Sequence, residues 1–240
     1  MAMIMEQDMT RFRREIEYTQ DGSTTLYIPE IDEHYHSTHG AVIEARHVYI
    51  KEALEKRLSL SPDSFSLSVL EVGFGTGLNA LLTFLWAEKY HIKIHYTTLE
   101  LYPLSIDIIR QINFPLVMES DCTPQYEAMH QACWNRPCPL SDFFVLDKRN
   151  MDLVNDKLEG RFDVVYFDAF APDKQPEMWQ DSIYRKVYDS LNESAVLTTY
   201  CSKGVVRRGL QQVGFQMERI PGPPGKREML RGIKRGIKKG

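Results

Sequence analysis

The sequence of 240 residues lacks the features of a membrane-spanning or secreted chain. No apolar run approaches the roughly 18 residues of a transmembrane helix, and Met1–Arg14 contains no apolar stretch like that of a secretory signal. Cysteine is scarce, with no CxxC spacing and too few residues for a disulfide framework. We therefore expect a cytoplasmic protein with reduced thiols that does not enter a membrane.

A metal site is also not expected. His34, His36 and His39 resemble a cluster of metal ligands, but no cysteine or paired acid completes the set at a spacing typical of zinc. Cys201 stands at a predicted strand end with no base nearby in the sequence, so it is not assigned as a nucleophile.

An excess of positive over negative charge is lacking except near the C-terminus. The whole chain has a net charge of −4, although Lys226–Lys239 contains seven basic residues and a single acid, Glu228. That segment therefore has a net charge of +6 and the rest of the chain −10. A basic end on an acidic body is typical of proteins that hold a polyanion at one edge. A disordered tail that only aids solubility would have the same composition.

Strand and helix patterns alternate along most of the chain. Apolar runs that alternate with helical spacing predict an α/β fold, with a mostly parallel sheet covered by helices on both faces. A small β-hairpin precedes it, in which Ile16–Tyr18 and Thr25–Ile28 flank the turn residues Asp21-Gly22-Ser23. The later strands are predicted at Leu67–Val72, Ile92–Leu99, Phe143–Leu146, Val164–Phe167 and Ala195–Thr199. Helices are predicted at Ala41–Leu58, Leu78–Tyr90, Ser105–Asn113, Met151–Leu158, Met178–Leu191 and Gly204–Val213, and Met118–Pro139 is left unassigned.

These patterns divide the chain into three parts. Residues 1–60 form an extension with the hairpin and one helix, residues 61–232 form the α/β core, and residues 233–240 form a basic tail.

A glycine-rich turn follows the first core strand, in the string Leu70–Asn79. Gly73, Gly75 and Gly77 permit positive φ angles and a close approach of the backbone to a ligand. The spacing is G-x-G-x-G with Glu71 two residues before it, whereas a dinucleotide fingerprint reads G-x-G-x-x-G. This pattern suits S-adenosylmethionine, which carries an ammonium and a sulfonium but no pyrophosphate. A tight turn without a ligand would look similar.

Two further acids end predicted strands. Glu100 follows the second core strand, where its two oxygens can accept the hydroxyls of a ribose. Asp168 ends the apolar run Phe162–Phe167 at the sheet edge where α/β folds bind ligands, and Phe170 and Pro172 are expected to wall the crevice. A carboxylate there can orient an amine acceptor and take a proton from it. A solvent-facing glutamate and a helix-capping aspartate are the plain alternatives.

Together these strings resemble the methyl-transfer half of MnmC, the bacterial enzyme that completes 5-methylaminomethyl-2-thiouridine at the tRNA wobble position. The resemblance extends over roughly residues 25 to 232, and its most specific strings are DAFAP followed by PEMW, and VRRGL followed by GKREML. It is also carried by Tyr35, Gly40 and Glu44–Val48, and by the glycine turn. It implies a Rossmann-like class I methyltransferase, S-adenosylmethionine as cofactor, and an exocyclic aminomethyl nitrogen of a tRNA anticodon-loop uridine as acceptor.

The resemblance also implies roles for individual residues. Asp168 lies at the reaction centre, and because the family's Gly-Asp pair is replaced here, Asn150, Asp147 or the backbone near Met151 is expected to contact the adenine. The implied cofactor contacts are Glu71, Gly73, Phe74, Gly75, Thr76, Gly77, Asn79, Glu100, Asn150, Met151 and Asp168. The expected substrate contacts are the stacking faces Tyr35, Phe170 and Trp179, the wall residue Pro172, and the phosphate-binding residues Arg207, Arg208, Lys226 and Arg227.

Bifunctional family members carry a flavin-dependent oxidase domain after this one, whereas this sequence ends at Gly240. We therefore expect methylation without removal of a carboxymethyl group. Whether a separate FAD-dependent oxidase is a partner is left open by the sequence. The alternatives are a methyltransferase for a small molecule or a protein, and a non-catalytic protein that binds S-adenosylmethionine. A nicotinamide oxidoreductase is disfavoured by the glycine spacing.

Overall fold

The computed structural model describes residues 12–235, which contain a large mixed sheet with apolar layers on both faces. The eight strands of this sheet lie in the order 215–221, 228–234, 191–199, 162–167, 66–72, 93–100, 144–150 and 138–139. The five central strands, from 191–199 to 144–150, run parallel, whereas the other three are antiparallel to their neighbours. The predicted mostly parallel α/β sheet is confirmed.

The strands are β1 (Glu15–Tyr18), β2 (Thr24–Ile28), β3 (Glu33–His34), β4 (Ser66–Val72), β5 (Lys93–Glu100), β6 (Cys138–Pro139), β7 (Phe144–Asn150), β8 (Phe162–Phe167), β9 (Leu191–Thr199), β10 (Phe215–Pro221) and β11 (Glu228–Lys234). The α-helices are α1 (Ala41–Ala45), α2 (Lys56–Leu60), α3 (Leu78–Tyr90), α4 (Ile106–Ile109), α5 (Phe114–Val117), α6 (Thr123–Gln131), α7 (Asp181–Asp189) and α8 (Gly204–Val213). A π-helix, Arg46–Glu55, joins α1 to α2, and a 3₁₀-helix, Pro176–Trp179, precedes α7.

The N-terminal hairpin is confirmed and gains a third short strand, so that β1, β2 and β3 form a separate antiparallel sheet. Its turn is held by Asp21, whose Oδ1 accepts hydrogen bonds from the backbone N–H of Ser23 and the hydroxyl of Thr19. Asn113 ties this small sheet to the core, since it accepts from the backbone N–H of Thr24 and donates to the carbonyl of Gly22.

The predicted first helix is one continuous helical segment from α1 through the π-helix to α2. Its middle part buries Val48, Tyr49 and Ala53 and lies against β8, β9 and α3. π-helical turns are frequent at functional sites, and here the turn carries Tyr49 towards the carboxyl end of β8.

Three predicted helices differ from the structure. Met151–Leu158 is a turn, because the carboxylate of Asp152 accepts from the backbone N–H of Val154 and the amide of Asn155, and such local bonds compete with a helix. The helix predicted at Ser105–Asn113 is only Ile106–Ile109, because the chain then tightens into three-residue turns that lead to Asn113, which is bonded to the hairpin. The helix predicted at Met178–Leu191 is divided into a 3₁₀-helix and α7.

The C-terminal part forms an edge hairpin that the strand pattern did not predict. β11 inserts between β9 and β10, and it includes Ile233 and Lys234 of the predicted basic tail. Residues 236–240, with Lys238 and Lys239, lie outside the described part of the chain, as do residues 1–11. The division into three segments stays a prediction. No helix within residues 12–235 combines the length and apolar character needed to cross a membrane.

Candidate active site

The carboxyl ends of four neighbouring parallel strands bring the predicted site together. Val72 of β4 pairs with Phe167 of β8, and Glu100 of β5 pairs with Asn150 of β7. The ends are joined by further bonds, since the backbone N–H of Asp168 donates to the carbonyl of Val72 at 3.1 Å. Residues that the sequence separates by almost 100 positions thus share one sheet edge, where α/β sheets bind their ligands.

The turn after β4 needs glycine at the positions the sequence singled out. At Gly73, with φ +93°, an added Cβ would lie 2.9 Å from the carbonyl oxygen of Asp168. At Gly75, with φ +48°, it would lie 3.1 Å from the ring of Tyr35. Both positions therefore combine a backbone conformation that side chains disfavour with a close approach from a neighbouring segment.

Residues that the sequence did not indicate hold this turn in place. The hydroxyl of Tyr126 donates to the carbonyl of Thr76 at 2.7 Å, and a ring nitrogen of His130 lies 3.2 Å from the same oxygen. The ring of His36 contacts the Thr76 hydroxyl at 2.7 Å, and burial lowers the pKa of His36 to about 4. Phe74 packs against His130 at a ring distance of 5.2 Å.

Glu100 is positioned to receive hydroxyl groups. Its carboxylate accepts the backbone N–H groups of Gly75 at 3.0 Å and Tyr102 at 2.8 Å, one on each oxygen. Burial is the largest influence on its pKa, which is raised. Each carboxylate oxygen has a second acceptor site, so both can still accept from the two hydroxyls of a ribose.

Asp168 is held by two side chains from two helical elements. The hydroxyl of Tyr49 donates to Oδ1 at 2.5 Å, and the amide of Asn79, on α3, donates to Oδ2 at 2.8 Å. Burial raises the pKa of Asp168 to about 6, although both hydrogen bonds act in the opposite direction. The group is therefore fixed in orientation and close to the point at which it exchanges a proton near neutral pH.

Glu71 lies deeper than its predicted role implied. Its side chain has no solvent exposure, and the hydroxyl of Thr98 donates to Oε2 at 2.7 Å. Asn79 and Tyr96 lie beside the carboxyl group, and Oε1 makes no hydrogen bond to the described part of the chain. Glu71 thus supports the site from below.

Asn150 and Met151, assigned to the adenine, are both tied to the end of β5. The Asn150 amide donates to the carbonyls of Glu100 and Leu101, and the backbone N–H of Met151 also donates to Glu100. Beside them Lys148 is 1% exposed, donates to the carbonyl of His130 and lies over the ring of Trp134. Burial lowers the pKa of Lys148 to about 8. A pocket of about 50 Å³ here is lined by Phe74, Gly75, Leu104, Ile106, Ile109, His130, Trp134 and Lys148.

The sequence model of a family of S-adenosyl-L-methionine-dependent methyltransferases matches residues 145–235, which include Asp168. The chain is an S-adenosylmethionine-dependent methyltransferase related to MnmC. The bifunctional protein MnmC of tRNA 5-methylaminomethyl-2-thiouridine biosynthesis from Burkholderia thailandensis is 31% identical over 228 residues, which cover 90% of this chain and 34% of that protein. MnmC from Hydrogenovibrio crunogenus is 30% identical and is matched over 92% of this chain and 34% of its own length. This methyltransferase therefore spans about a third of the length of these relatives.

Solved structures agree on the fold. MNMC2 from Aquifex aeolicus superposes with a TM-score of 0.76 at 22% identity, over 95% of this chain and 74% of the other. Spermidine synthase from Thermotoga maritima superposes with a TM-score of 0.54 at 13% identity, over 95% of this chain and 81% of the other. The predicted Rossmann-like methyltransferase fold and the resemblance to MnmC are thus confirmed.

The residues at the sheet edge fit the cofactor of this methyltransferase. Glu100 has acceptor sites for a ribose beside the backbone N–H of Gly75. The half-buried carboxyl group of Asp168, with the fully buried Glu71 behind it, suits a positively charged ligand. These residues would hold the ribose and the cationic part of S-adenosylmethionine.

An open cleft of about 760 Å³ lies beyond the ends of β8 and β9, on the side of Asp168 away from Glu100. Tyr200 connects the two, since its hydroxyl donates to the carbonyl of Ala169 and its ring lies 4.4 Å from the ammonium of Lys226. Lys226 also donates to Glu44 at 2.6 Å. The cleft is lined by Glu33, Ala171, Pro172, Tyr200, Cys201, Ser202, Lys203, Arg219, Lys226, Arg227 and Glu228.

The other predicted substrate residues do not lie together. Tyr35 and Phe170 meet edge to face at 5.2 Å, beside the glycine turn. Trp179 instead packs against Phe167 and donates its indole N–H to the carbonyl of Phe170 at 2.7 Å, so it supports Phe170 from the core side. Arg207 donates to Gln211 within α8.

Arg207 and Arg208 lie in the first turns of α8, next to the cleft but not among its lining residues. Arg208 is exposed, and its guanidinium lies 3.2 Å from the point that a Cβ on Gly204 would occupy. Arg227 is exposed in the cleft and forms no ion pair within residues 12–235, whereas Lys203 pairs with Asp173. Lys203 and Arg219 are cleft cations that the sequence did not indicate.

The three N-terminal histidines have separate partners. His34 lies 3.0 Å from a carboxylate oxygen of Glu17, His36 contacts Thr76, and His39 lies 3.2 Å from Gln20. No group of three or more side chains suited to hold a metal ion occurs among residues 12–235.

Proposed function

We propose that this methyltransferase N-methylates the aminomethyl group of 5-aminomethyl-(2-thio)uridine at the wobble position of tRNA. The observation that carries the proposal is the position of the Asp168 carboxylate, fixed by Tyr49 and Asn79 between the glycine turn and a basic cleft. The relatives named for 5-methylaminomethyl-2-thiouridine biosynthesis support this choice of acceptor.

Bound S-adenosylmethionine supplies a methyl group on a sulfonium, which is open to attack by a neutral amine. Alignment of donor and acceptor can contribute roughly 7–11 kcal/mol to such a reaction. Asp168 accepts a hydrogen bond from the acceptor amine and thereby orients its lone pair. The same carboxylate stabilises the ammonium that develops and can take its proton.

The acceptor base has to leave its stack to reach Asp168. Extrusion costs a few kcal/mol and least in a loop that is already single-stranded, as an anticodon loop is. Tyr35 and Phe170 are the aromatic faces beside Asp168, and Pro172 and Tyr200 line the adjoining cleft. Lys203, Lys226 and Arg227 supply positive charge for the flanking phosphates.

The primary amine that accepts the methyl group has to be formed by an earlier reaction. The relatives are bifunctional and about two thirds of their length is not matched by this chain. We propose that an FAD-dependent oxidase removes a carboxymethyl group and exposes the primary amine before this methylation, and that both reactions take place in the cytoplasm, where tRNA is found.

The test is incubation of the protein with labelled S-adenosylmethionine and tRNA from a strain that lacks this methylation, followed by nucleoside analysis. We expect label in 5-methylaminomethyl-2-thiouridine, and none with tRNA from the parent strain, in which the position is already methylated. Label in a small molecule or a protein, with none in the wobble nucleoside, would contradict the proposed acceptor.

A further inference from the structure

Two acids, the fully buried Glu71 and the half-buried Asp168, lie near each other at the ends of neighbouring strands. Glu71 is the penultimate residue of β4, Asp168 directly follows β8, and these strands are hydrogen-bonded neighbours. Asn79 lies between the two, because its amide donates to Asp168 and also lies beside the carboxyl of Glu71. The two carboxyl groups thus share one neutral side chain and form a pair, here called the acid pair.

Within residues 12–235, the side chains that face Glu71 are polar and uncharged, and the hydroxyl of Thr98 donates to it. Thr98 and Tyr96 lie on β5, Asn79 on α3, and Tyr166 on β8. The other charged group that acts on Glu71 is Asp168, which has the same sign. Oε1 of Glu71 makes no hydrogen bond to residues 12–235.

Asp168 has a slightly different surrounding. Tyr49 of the π-helix and Asn79 donate to it, Glu44 of α1 repels its charge, and Lys226 attracts it more weakly. Lys226 is itself bound to Glu44. The acid pair is therefore poorly neutralised from every element that packs against it.

A carboxylate that is fully buried without a cation is costly, and it takes up a proton instead. Burial raises the pKa of Glu71 to about 8 and that of Asp168 to about 6. Because the two groups interact, the proton belongs to the pair and resides mainly on Glu71 at neutral pH.

We propose that the acid pair holds one proton in the cofactor-free protein and releases it to solvent when S-adenosylmethionine binds. The O–H bond of the Glu71 carboxyl group breaks, the proton passes to buffer, and the carboxylate left behind neutralises the incoming positive charge. The inference rests on cofactor binding and not on the identity of the acceptor, so a failure of the tRNA assignment leaves it standing.

The number of protons released should differ between the cofactor and its product. S-adenosylmethionine carries a sulfonium charge that S-adenosylhomocysteine lacks, so the product should release fewer protons. The affinity for S-adenosylmethionine should also rise by about tenfold per pH unit below the pKa of the pair, by proton linkage. Demethylation of the cofactor thereby favours return of the proton and weakens binding of the spent product.

The test is isothermal titration calorimetry of the full-length protein with S-adenosylmethionine at pH 7, in phosphate and in Tris, whose ionisation enthalpies differ. We expect the observed enthalpy to differ between buffers by an amount that corresponds to close to one proton released. The release should fall with S-adenosylhomocysteine and be lost in the isosteric Glu71→Gln variant. Asp163→Asn, an acid at the other end of β8 that pairs with Arg57, is the matched control and should release as the parent does.

Equal enthalpies in both buffers for the parent protein would overturn the proposal. So would an unchanged proton release in Glu71→Gln. Should that variant not fold, infrared difference spectra of the parent protein provide a second measurement. Addition of S-adenosylmethionine should remove a protonated carboxyl band, and a spectrum without such a loss would contradict the inference.

Discussion

Asp163 and Asp168 lie five residues apart on either end of β8, and their hydrogen-bond partners differ in charge. Asp163 accepts from the guanidinium of Arg57 at 3.2 Å, and also from the backbone N–H of Ser68 and the amide of Asn192. Asp168 accepts only from the neutral side chains of Tyr49 and Asn79 among the hydrogen bonds of residues 12–235. Both carboxyl groups are largely buried, so the presence of a cation is what separates them.

The difference identifies which acid contributes to stability and which to function. A buried acid with a cationic partner forms part of the fold, because its charge is neutralised within the chain. A buried acid without one is a cost to the folded state, and such groups cluster at functional sites. Substitutions at the two ends of β8 should therefore have opposite effects on activity and stability.

The largest expected effect is on catalysis by Asp168→Asn. Loss of the carboxylate should lower kcat by about 10²–10⁴-fold, because the amide can neither take the proton nor stabilise the ammonium. Binding of S-adenosylhomocysteine should stay close to that of the parent protein, and the melting temperature should not fall. Near-parental turnover in a labelled methyl-transfer assay would remove Asp168 from its role.

Asp163→Asn should affect stability instead. The variant leaves the guanidinium of Arg57, whose side chain is 9% exposed, without its carboxylate, and breaking a buried ion pair costs about 3–5 kcal/mol. Denaturant titration should show the loss, while kcat per folded molecule stays unchanged. A variant that melts as the parent does would show that the charge pair at this end of β8 is not what distinguishes the two aspartates.

The sequence predicted the parts of the site that follow directly from strand ends. Asp168, Glu100 and the glycines were found because an apolar run ending in an acid or a glycine marks the ligand-binding edge of a parallel sheet. Tyr49 was not found, since its hydroxyl reaches Asp168 across 119 residues of sequence and from a helix whose pattern indicates only burial. The pattern around Trp179 fits a core residue as well as a stacking residue, and the structure packs its ring on Phe167.

The fold shows the same division. Strands in the centre of the sheet are predicted because continuous apolar runs mark them, whereas β10 and β11 have charged and partly exposed residues among their apolar ones and are missed. The turn at Met151–Leu158 was mistaken for a helix, because its spacing is helical and the competing bonds from Asp152 depend on side-chain geometry.

Tyr49→Phe sharpens the comparison by removing one of the two bonds that hold Asp168. A hydrogen bond to a charged group is worth about 1.5–3 kcal/mol, so kcat should fall by about 10- to 100-fold. The bond lowers the pKa of Asp168, which is about 6 with it in place. Since activity requires the carboxylate and is lost as pH falls through this pKa, the acid limb of the kcat profile should move to higher pH.

A matched control for this change is Tyr184→Phe. Tyr184 is buried in the opposite apolar layer, and its hydroxyl makes no hydrogen bond among residues 12–235. That variant should leave both kcat and the pH profile unchanged. An unshifted acid limb in Tyr49→Phe, with kcat lowered, would mean that Tyr49 acts on packing and not on the proton affinity of Asp168.

The smallest effect is expected in the cleft, where charges are exposed and act additively rather than through fixed hydrogen bonds. Arg227→Gln should weaken tRNA binding only modestly, but it should reduce the slope of log affinity against log salt concentration by about 1, the change expected for one lost phosphate contact. Lys93→Gln removes an exposed charge at the amino end of β5, on the opposite edge of the sheet, and should leave the slope unchanged. Equal slopes for the parent and both variants would show that the cleft does not meet the phosphate backbone. The tRNA would then have to bind another surface of the protein to bring its acceptor amine to Asp168.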